Sequence, residues 1–300
     1  MTSMLHRPAE LRPDGPFDLA ASARFLEAFT PAGRMDAAAA PGTLRFAFPI
    51  EGSWQHAGAL IRQRAPGDIE ISVAAEEENV EATVRQVRRT LSLDVDGGGF
   101  PAIGARDPVV GQLQARYPGL RPVLFYSPYE AACWTIVTNR IRTTQAARIK
   151  QRIAELYGEI VELDGHRLTS FAAPAALQEI EGPIGLPEVK IERLRAVARA
   201  AQAGLLDAQP LRALEPDDAL RLLQRLPGIG PFSAQLILVR GAGEPDVFPD
   251  KDVRLHEEMR ELYAVPEAGV DDLAVIAERW RPYRSWVGLL FRIHHEARLA

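Results

Sequence analysis

Leu44, Phe46, Phe48 and Ile50 recur at every second position, Ile69, Ile71 and Val73 repeat the pattern, and apolar Leu60 and Ile61 lie between the two runs. A period of two sets alternate side chains on one face of a strand, so this region predicts an antiparallel sheet with one face against a core. Val80, Val84, Val87 and Leu91 then follow helical spacing, and residues 17–93 together predict an α+β unit. From about residue 121 the strand signal vanishes. Ile149, Ile153 and Leu156 mark one helix, Ile191, Leu194, Val197 and Ala198 a second, and Leu273, Val275, Ile276 and Trp280 a third. The expected fold class is α+β: a loose tail over 1–16, an N-terminal antiparallel sheet with helices over 17–120, and an all-α body over 121–300. DGGGFPAIG (96–104) and EGPIGLPE (181–188) are Gly/Pro-rich and predict connections between elements.

Residues 222–255 break the helical pattern in an informative way. Leu222, Leu223 and Leu226 predict the end of one helix, and Pro227-Gly228-Ile229-Gly230 cannot continue it, because proline lacks an amide donor and glycine admits left-handed angles. Pro231 suits the first turn of a new helix, and periodicity resumes from Ser233 to Val239. The result is a tight hairpin ending in free backbone N–H groups, which attract anions. Downstream, Asp252 directly precedes the helical run Val253–Met259, where aspartate is a favoured cap.

LPGIGPFSAQ followed by VFPDKDV resembles the helix-hairpin-helix/GPD superfamily of DNA glycosylases, and within it the bacterial 3-methyladenine DNA glycosylase II type. FDLAASARFL (17–26), RRTLSLDVD (88–96), SPYEAACWTIVTNRIRTTQAARIKQRIAELYG (127–158) and ERWRPYRSW (278–286) fall in the order and approximate spacing of that family, so the likeness covers nearly the whole chain. The resemblance implies a monomeric enzyme without a cofactor that flips a damaged base, an alkylated purine, from double-stranded DNA and hydrolyses its N-glycosidic bond in base excision repair. It assigns N–H groups of Gly228, Gly230 and Ser233 to a phosphate. It also assigns backbone carbonyls of Gln224, Leu226 and Ile229 to a monovalent cation, Na+ or K+.

Breaking an N-glycosidic bond builds positive charge on the sugar, and a buried carboxylate stabilises that state or activates water. Asp252 fits the family's position for this group better than Asp250, which directly follows Pro249; Asp246 falls in a loop and is expected to be merely solvated. Relatives that also cut the strand carry a nucleophilic lysine two residues after the second hairpin glycine. Here that position is Phe232, which implies a monofunctional enzyme and places an aromatic in the base pocket, with Lys251 the nearby amine. Where the family probes and wedges the minor groove, this chain has Asn139 and Arg140; where it has a pocket Tyr and Trp, this chain has Leu236 and Arg292. His294 and His295 are expected at the surface. A non-catalytic hairpin DNA-binding protein and a bifunctional glycosylase/lyase remain open alternatives on these residues.

Composition changes the picture little. Of 300 residues 47% are hydrophobic and 25% charged, ordinary for a soluble globular protein. The N-terminus lacks a signal-peptide core and no apolar run approaches a membrane span, so a cytoplasmic protein without a membrane partner is expected. One cysteine, Cys133 in an apolar helical stretch, excludes an intrachain disulfide and a four-cysteine iron–sulfur cluster. The net charge of −5 argues against non-specific nucleic-acid binding, but Arg121, Arg140, Arg142, Arg148, Lys150 and Arg152 form a locally basic stretch against Glu130, Glu155 and Glu159.

Overall fold

The computed structural model describes residues 6, 8–28, 38–40, 42–65, 67–181 and 184–299. Five strands form one antiparallel sheet in the order β1-β5-β4-β3-β2: β1 (Ala9–Leu11), β2 (Ala38–Ala40), β3 (Thr43–Pro49), β4 (His56–Ala65) and β5 (Asp68–Ala74). The alternating residues do what their period dictates. Leu44 and Phe46 of β3 stand opposite Ile61 and Ala59 of β4, and Ile61 in turn stands opposite Ile71 of β5. Helices α1 (Leu19–Ala28) and α2 (Val80–Thr90) cover that apolar face with Phe25, Leu26 and Val87. Part of the expected tail is ordered, because Ala9–Leu11 add an edge strand to β5; residues 1–5 and 7 lie outside the described residues.

Helices α3 (Phe100–Arg106) and α4 (Pro108–Arg116) follow, so the expected connection at 96–104 already contains the first turns of a helix. The remaining chain forms α5 (Pro128–Thr138), α6 (Thr143–Tyr157), α7 (Pro174–Gln178), α8 (Glu188–Gln202), α9 (Ala208–Ala213), α10 (Pro216–Leu223), α11 (Pro231–Leu236), α12 (Val253–Leu262), α13 (Val270–Ala277) and α14 (Arg284–Leu299). Helix α11 runs on into a wider π-helical turn, Ile237–Ala242, which ends at Gly243 with a left-handed φ of 84°. Within the 181–188 connection, residues 182–183 lie outside the described residues. Among the described residues no helix is long and apolar enough to cross a membrane.

The body after residue 121 is not wholly helical. Strands β6 (Glu159–Leu163) and β7 (His166–Ser170) form a hairpin closed by Asp164 and Gly165, both at positive φ, 50° and 75°. That is the mirror-image turn that Asp-Gly favours. The hairpin lays Leu163 and Leu168 on the second face of the sheet against Ala47, Leu60 and Ala74. Gly58 makes this contact possible, since a Cβ there would stand 2.9 Å from Val161 Cγ1.

Two large cores result, and they cut across a boundary at residue 120. One joins the sheet, α1–α4 and the C-terminal helices, bringing Phe46 and Ile71 into one cluster with Phe248, Leu255, Trp280 and Phe291. The other joins α5–α11, with Cys133 buried in it as expected. The expected basic stretch does not form one surface. Arg121 is buried and donates to the carbonyls of Asp14, Pro16, Ser92 and Val95, and Lys150 pairs with Glu130 at 2.5 Å. Arg140, Arg142, Arg148 and Arg152 are exposed.

Leu163 is 1% exposed, so Leu163→Ala should leave a cavity between hairpin and sheet and cost about 2–4 kcal/mol of unfolding free energy. Urea titration by circular dichroism measures this, and a loss below about 0.5 kcal/mol, the surface-substitution range, would show that the hairpin does not contribute to the core.

Candidate active site

The hairpin between α10 and α11 is shaped by its glycines. Gly228 adopts φ 87°, and a Cβ there would lie 2.6 Å from Arg193 Cδ and 3.0 Å from Ile136 Cδ1, so both backbone angle and space demand glycine. Gly230 faces open space and precedes α11 in extended conformation. Ser233 lies in the first turn of α11, where amides lack intrahelical acceptors. Of the three carbonyls expected to hold a cation, that of Leu226 already accepts the Ile229 N–H at 3.1 Å. Gln224 is exposed, Leu226 half-buried and Ile229 buried. Among the described residues no cluster of three His, Cys, Asp or Glu side chains could hold a metal ion.

Gln235 of α11 reaches from one core to the loop before α12. It is buried, its Nε2 donates to the Phe248 carbonyl at 3.1 Å and to Asp250 Oδ1 at 2.8 Å, and its Oε1 accepts the Lys251 N–H at 3.3 Å. Asp252 follows and caps α12, its Oδ1 accepting the Leu255 N–H at 3.2 Å. His256 braces the loop from behind, with Nε2 3.1 Å from the Pro249 carbonyl, and burial lowers its pKa.

These elements border a cleft of about 880 Å³ at the seam between the two cores. Asn139, Arg140, Phe232, Ser233, Leu236, Lys251, Asp252 and Arg292 all line it, so most of the residues singled out from the sequence meet in one place. Phe232 stands at its lip, 51% exposed. Gly228, Gly230, Gln224, Leu226 and Ile229 are outside the cleft, on the adjoining hairpin. Asp250 is held by Gln235 and by Lys251 Nζ, 2.8 Å away.

Arg292 is engaged by two carboxylates. Its Nε lies 3.2 Å from Asp252 Oδ2, its Nη1 3.3 Å from Asp252 Oδ1, and its Nη2 2.9 Å from Glu296 Oε1. The fork geometry suits a guanidinium and fixes the orientation of the Asp252 carboxylate. Below them Arg240 donates to the Val123 carbonyl at 2.7 Å, and burial, together with the Arg292 charge, pushes its pKa down to about 10.

Several expectations fail. His294 and His295 are not surface residues: their Nδ1 atoms sit 2.7 and 2.9 Å from the two oxygens of fully buried Glu258, tying α14 to α12. Burial alone would raise the Glu258 pKa, but these hydrogen bonds and Arg298 bring it below its ordinary value. Asp246 is not merely solvated, since Arg281 and Arg284 both bind it, at 2.8 and 2.9 Å. A loop carboxylate finds partners here because Trp280–Ser285 doubles back beside it, with Ser285 donating to the Val247 carbonyl. The sequence reading also missed Trp134, Gln235, Arg240 and Glu296. Glu296 lies four residues after Arg292, a spacing that brings side chains together on a helix, and Gln235 is a polar residue in an apolar helical run.

Known proteins resemble this chain in sequence and in fold. A DNA-3-methyladenine glycosylase from Bacillus subtilis is 25% identical over 212 residues, covering 69% of this chain and 70% of that protein. DNA-3-methyladenine glycosylase 2 of Escherichia coli is 29% identical over 181 residues, or 59% of this chain and 61% of the relative. The 3-methyladenine DNA-glycosylase of Archaeoglobus fulgidus superposes with a TM-score of 0.79 over 96% of this chain and 98% of its own, at 19% identity, which establishes a shared fold. The model of the HhH-GPD superfamily of base excision DNA repair proteins matches residues 133–282, from inside α5 through the hairpin and Asp252 to the threshold of α14, and the chain belongs to that family.

Proposed function

We propose that this protein is a monofunctional DNA N-glycosylase that flips a damaged base, an alkylated purine, out of duplex DNA and hydrolyses its N-glycosidic bond. The observation that carries the reading is the carboxylate of Asp252, fixed at a helix N-terminus and facing a cleft flanked by the hairpin. The names of the bacterial relatives support the same reaction class.

A flipped nucleotide needs its backbone gripped and its base enclosed. Amides of Gly228, Gly230 and Ser233 take a phosphate, and the hairpin carbonyls of Gln224, Leu226 and Ile229 form the place for an alkali cation, which would add positive charge beside that phosphate. Phe232 and Trp134 supply aromatic walls for the base, and Leu236 an apolar one. Asn139 meets a base edge, and Arg140 fills the vacated stack with its planar guanidinium. As the C1′–N bond breaks, its electron pair leaves with the base and Asp252 stabilises the cationic sugar. Water then adds to C1′ and gives up its proton through Asp252, leaving an abasic site. Arg292 shares its charge between Asp252 and Glu296, and Arg254 Nη1 approaches Glu296 as well, at 3.5 Å.

Asp252→Asn should reduce single-turnover base release by about a hundredfold or more while duplex affinity holds, because it removes one electrostatic stabiliser of the transition state. An inactive Asp250→Asn beside an active Asp252→Asn would move the chemistry to the neighbouring carboxylate.

Phe232 occupies the position of the strand-cutting lysine, so product strands should stay intact until alkali treatment, and borohydride should trap no covalent complex. Lys251 does line the cleft, paired with Asp250. A trapped adduct that disappears in Lys251→Ala would therefore establish a bifunctional enzyme.

Leu236 and Arg292 supply no aromatic face, and each missing cation–π contact removes about 0.5–2 kcal/mol of preference for a positively charged purine. Release of 7-methylguanine should accordingly be slower than release of neutral ethenoadenine, and Arg292→Trp should shift the ratio towards the cation. Mass spectrometry of freed bases reads both; an unchanged ratio in Arg292→Trp would remove position 292 from base selection.

A further inference from the structure

Lys190 stands at an electrostatically poor place on its own helix. It lies in the first turn of α8, where the macrodipole is positive, and it is nonetheless 8% exposed. Its Nζ crosses to the other end of the electrostatic scale, the C-terminus of α5, and donates to the carbonyls of Val137 at 2.9 Å and Asn139 at 2.6 Å. Helix α5 ends at Thr138 and leaves carbonyls without amide partners, so the ammonium satisfies two of them at once. Burial and the nearby Arg193 charge lower its pKa, which is the cost of that placement.

The turn that follows gives this contact a purpose. The Thr138 carbonyl accepts the Ile141 N–H at 3.1 Å, Asn139 has φ −55° and ψ 119°, and Arg140 has φ 56°. These are the angles of a type II β-turn, whose third position favours glycine. Arg140 bears a Cβ there and is strained. Flipping the Asn139–Arg140 peptide plane would convert the turn to type I and return Arg140 to negative φ. The Asn139 carbonyl belongs to that peptide, and Lys190 holds it.

We propose that Lys190 is a positioning residue for Arg140: its ammonium locks the Asn139 carbonyl, fixes the type II turn, and thereby aims Arg140 over the cleft. The proposal rests on Arg140 as the residue that fills the gap left by base flipping. The same turn borders the cleft beside Asp252, so its geometry sets where the guanidinium enters DNA.

Fluorescence anisotropy with three probes tests this: an undamaged duplex, that duplex with a tetrahydrofuran abasic analogue, and the single strand with the analogue. Lys190→Met should bind the analogue duplex about tenfold more weakly, the equivalent of one charge-assisted hydrogen bond. Its affinity for the single strand should hold, and Lys190→Arg should restore duplex binding. Arg140→Ala should match Lys190→Met, and the double variant should lose no more than either. Wild-type affinity in Lys190→Met, equal losses on all three probes, or multiplied losses in the double variant would overturn the proposal. Should Lys190→Met fail to fold by circular dichroism, Lys190→Gln is read in the same way. The crystal structure of the folded variant separates the proposal from the reading beneath it. Arg140 at negative φ supports the lock and an unchanged positive φ refutes it, whereas a wild type indifferent to the abasic analogue refutes base flipping alone.

Discussion

The three hydrogen bonds of the Gln235 side chain hold the two halves of the cleft in register. Gln235 belongs to the core built by α5–α11, while the loop it grips leads into α12 and the core shared with the sheet. Phe232 and Ser233 on one wall, and Asp252 and Arg292 on the other, therefore keep their separation through a buried amide. Such an amide is costly to leave unpaired and so specifies one arrangement. A cleft at a seam could otherwise widen by the sliding of two separately packed surfaces.

Electrostatics then tune what geometry has placed. The Asp252 carboxylate is a helix cap, a partner for a guanidinium and the candidate stabiliser of a cation. Glu296 extends the Asp252–Arg292 pair into a network by binding both Arg292 and Arg254. A second guanidinium, that of Arg240, lies deeper and resists its own charge through burial. The arrangement spends buried charge freely, which a stability argument alone would not predict.

Features written in local pattern were legible in the sequence. Period-two alternation gave the sheet, Pro and Gly gave the hairpin, and an aspartate before an amphipathic run gave the cap at Asp252. What escaped was either non-local or masked by a stronger local signal. The Asp164-Gly165 turn is a good hairpin signal, but it follows a long helical run and its strands carry Glu159, Glu162, His166 and Arg167, so the helical period dominated. Arg292 was legible as a pocket position, but its ion pair with Asp252 bridges forty residues, and His294 and His295 looked like surface polar residues until Glu258 appeared between them. Lys190 carried a visible anomaly, a cation in the first turn of a helix, whose meaning depends on where α5 ends.

The way the sheet is covered has a consequence for biosynthesis. One face is covered by α1 and α2, which lie close to it in sequence, and the other waits for Leu163 and Leu168, about a hundred residues after Gly58. A nascent chain leaving the ribosome thus exposes the second face of the sheet until the β6–β7 hairpin is made, and it must close a long loop before that face is rewarded. The apolar patch of Ala47, Leu60 and Ala74 accordingly stays open during that interval, a surface of the kind that chaperones cover.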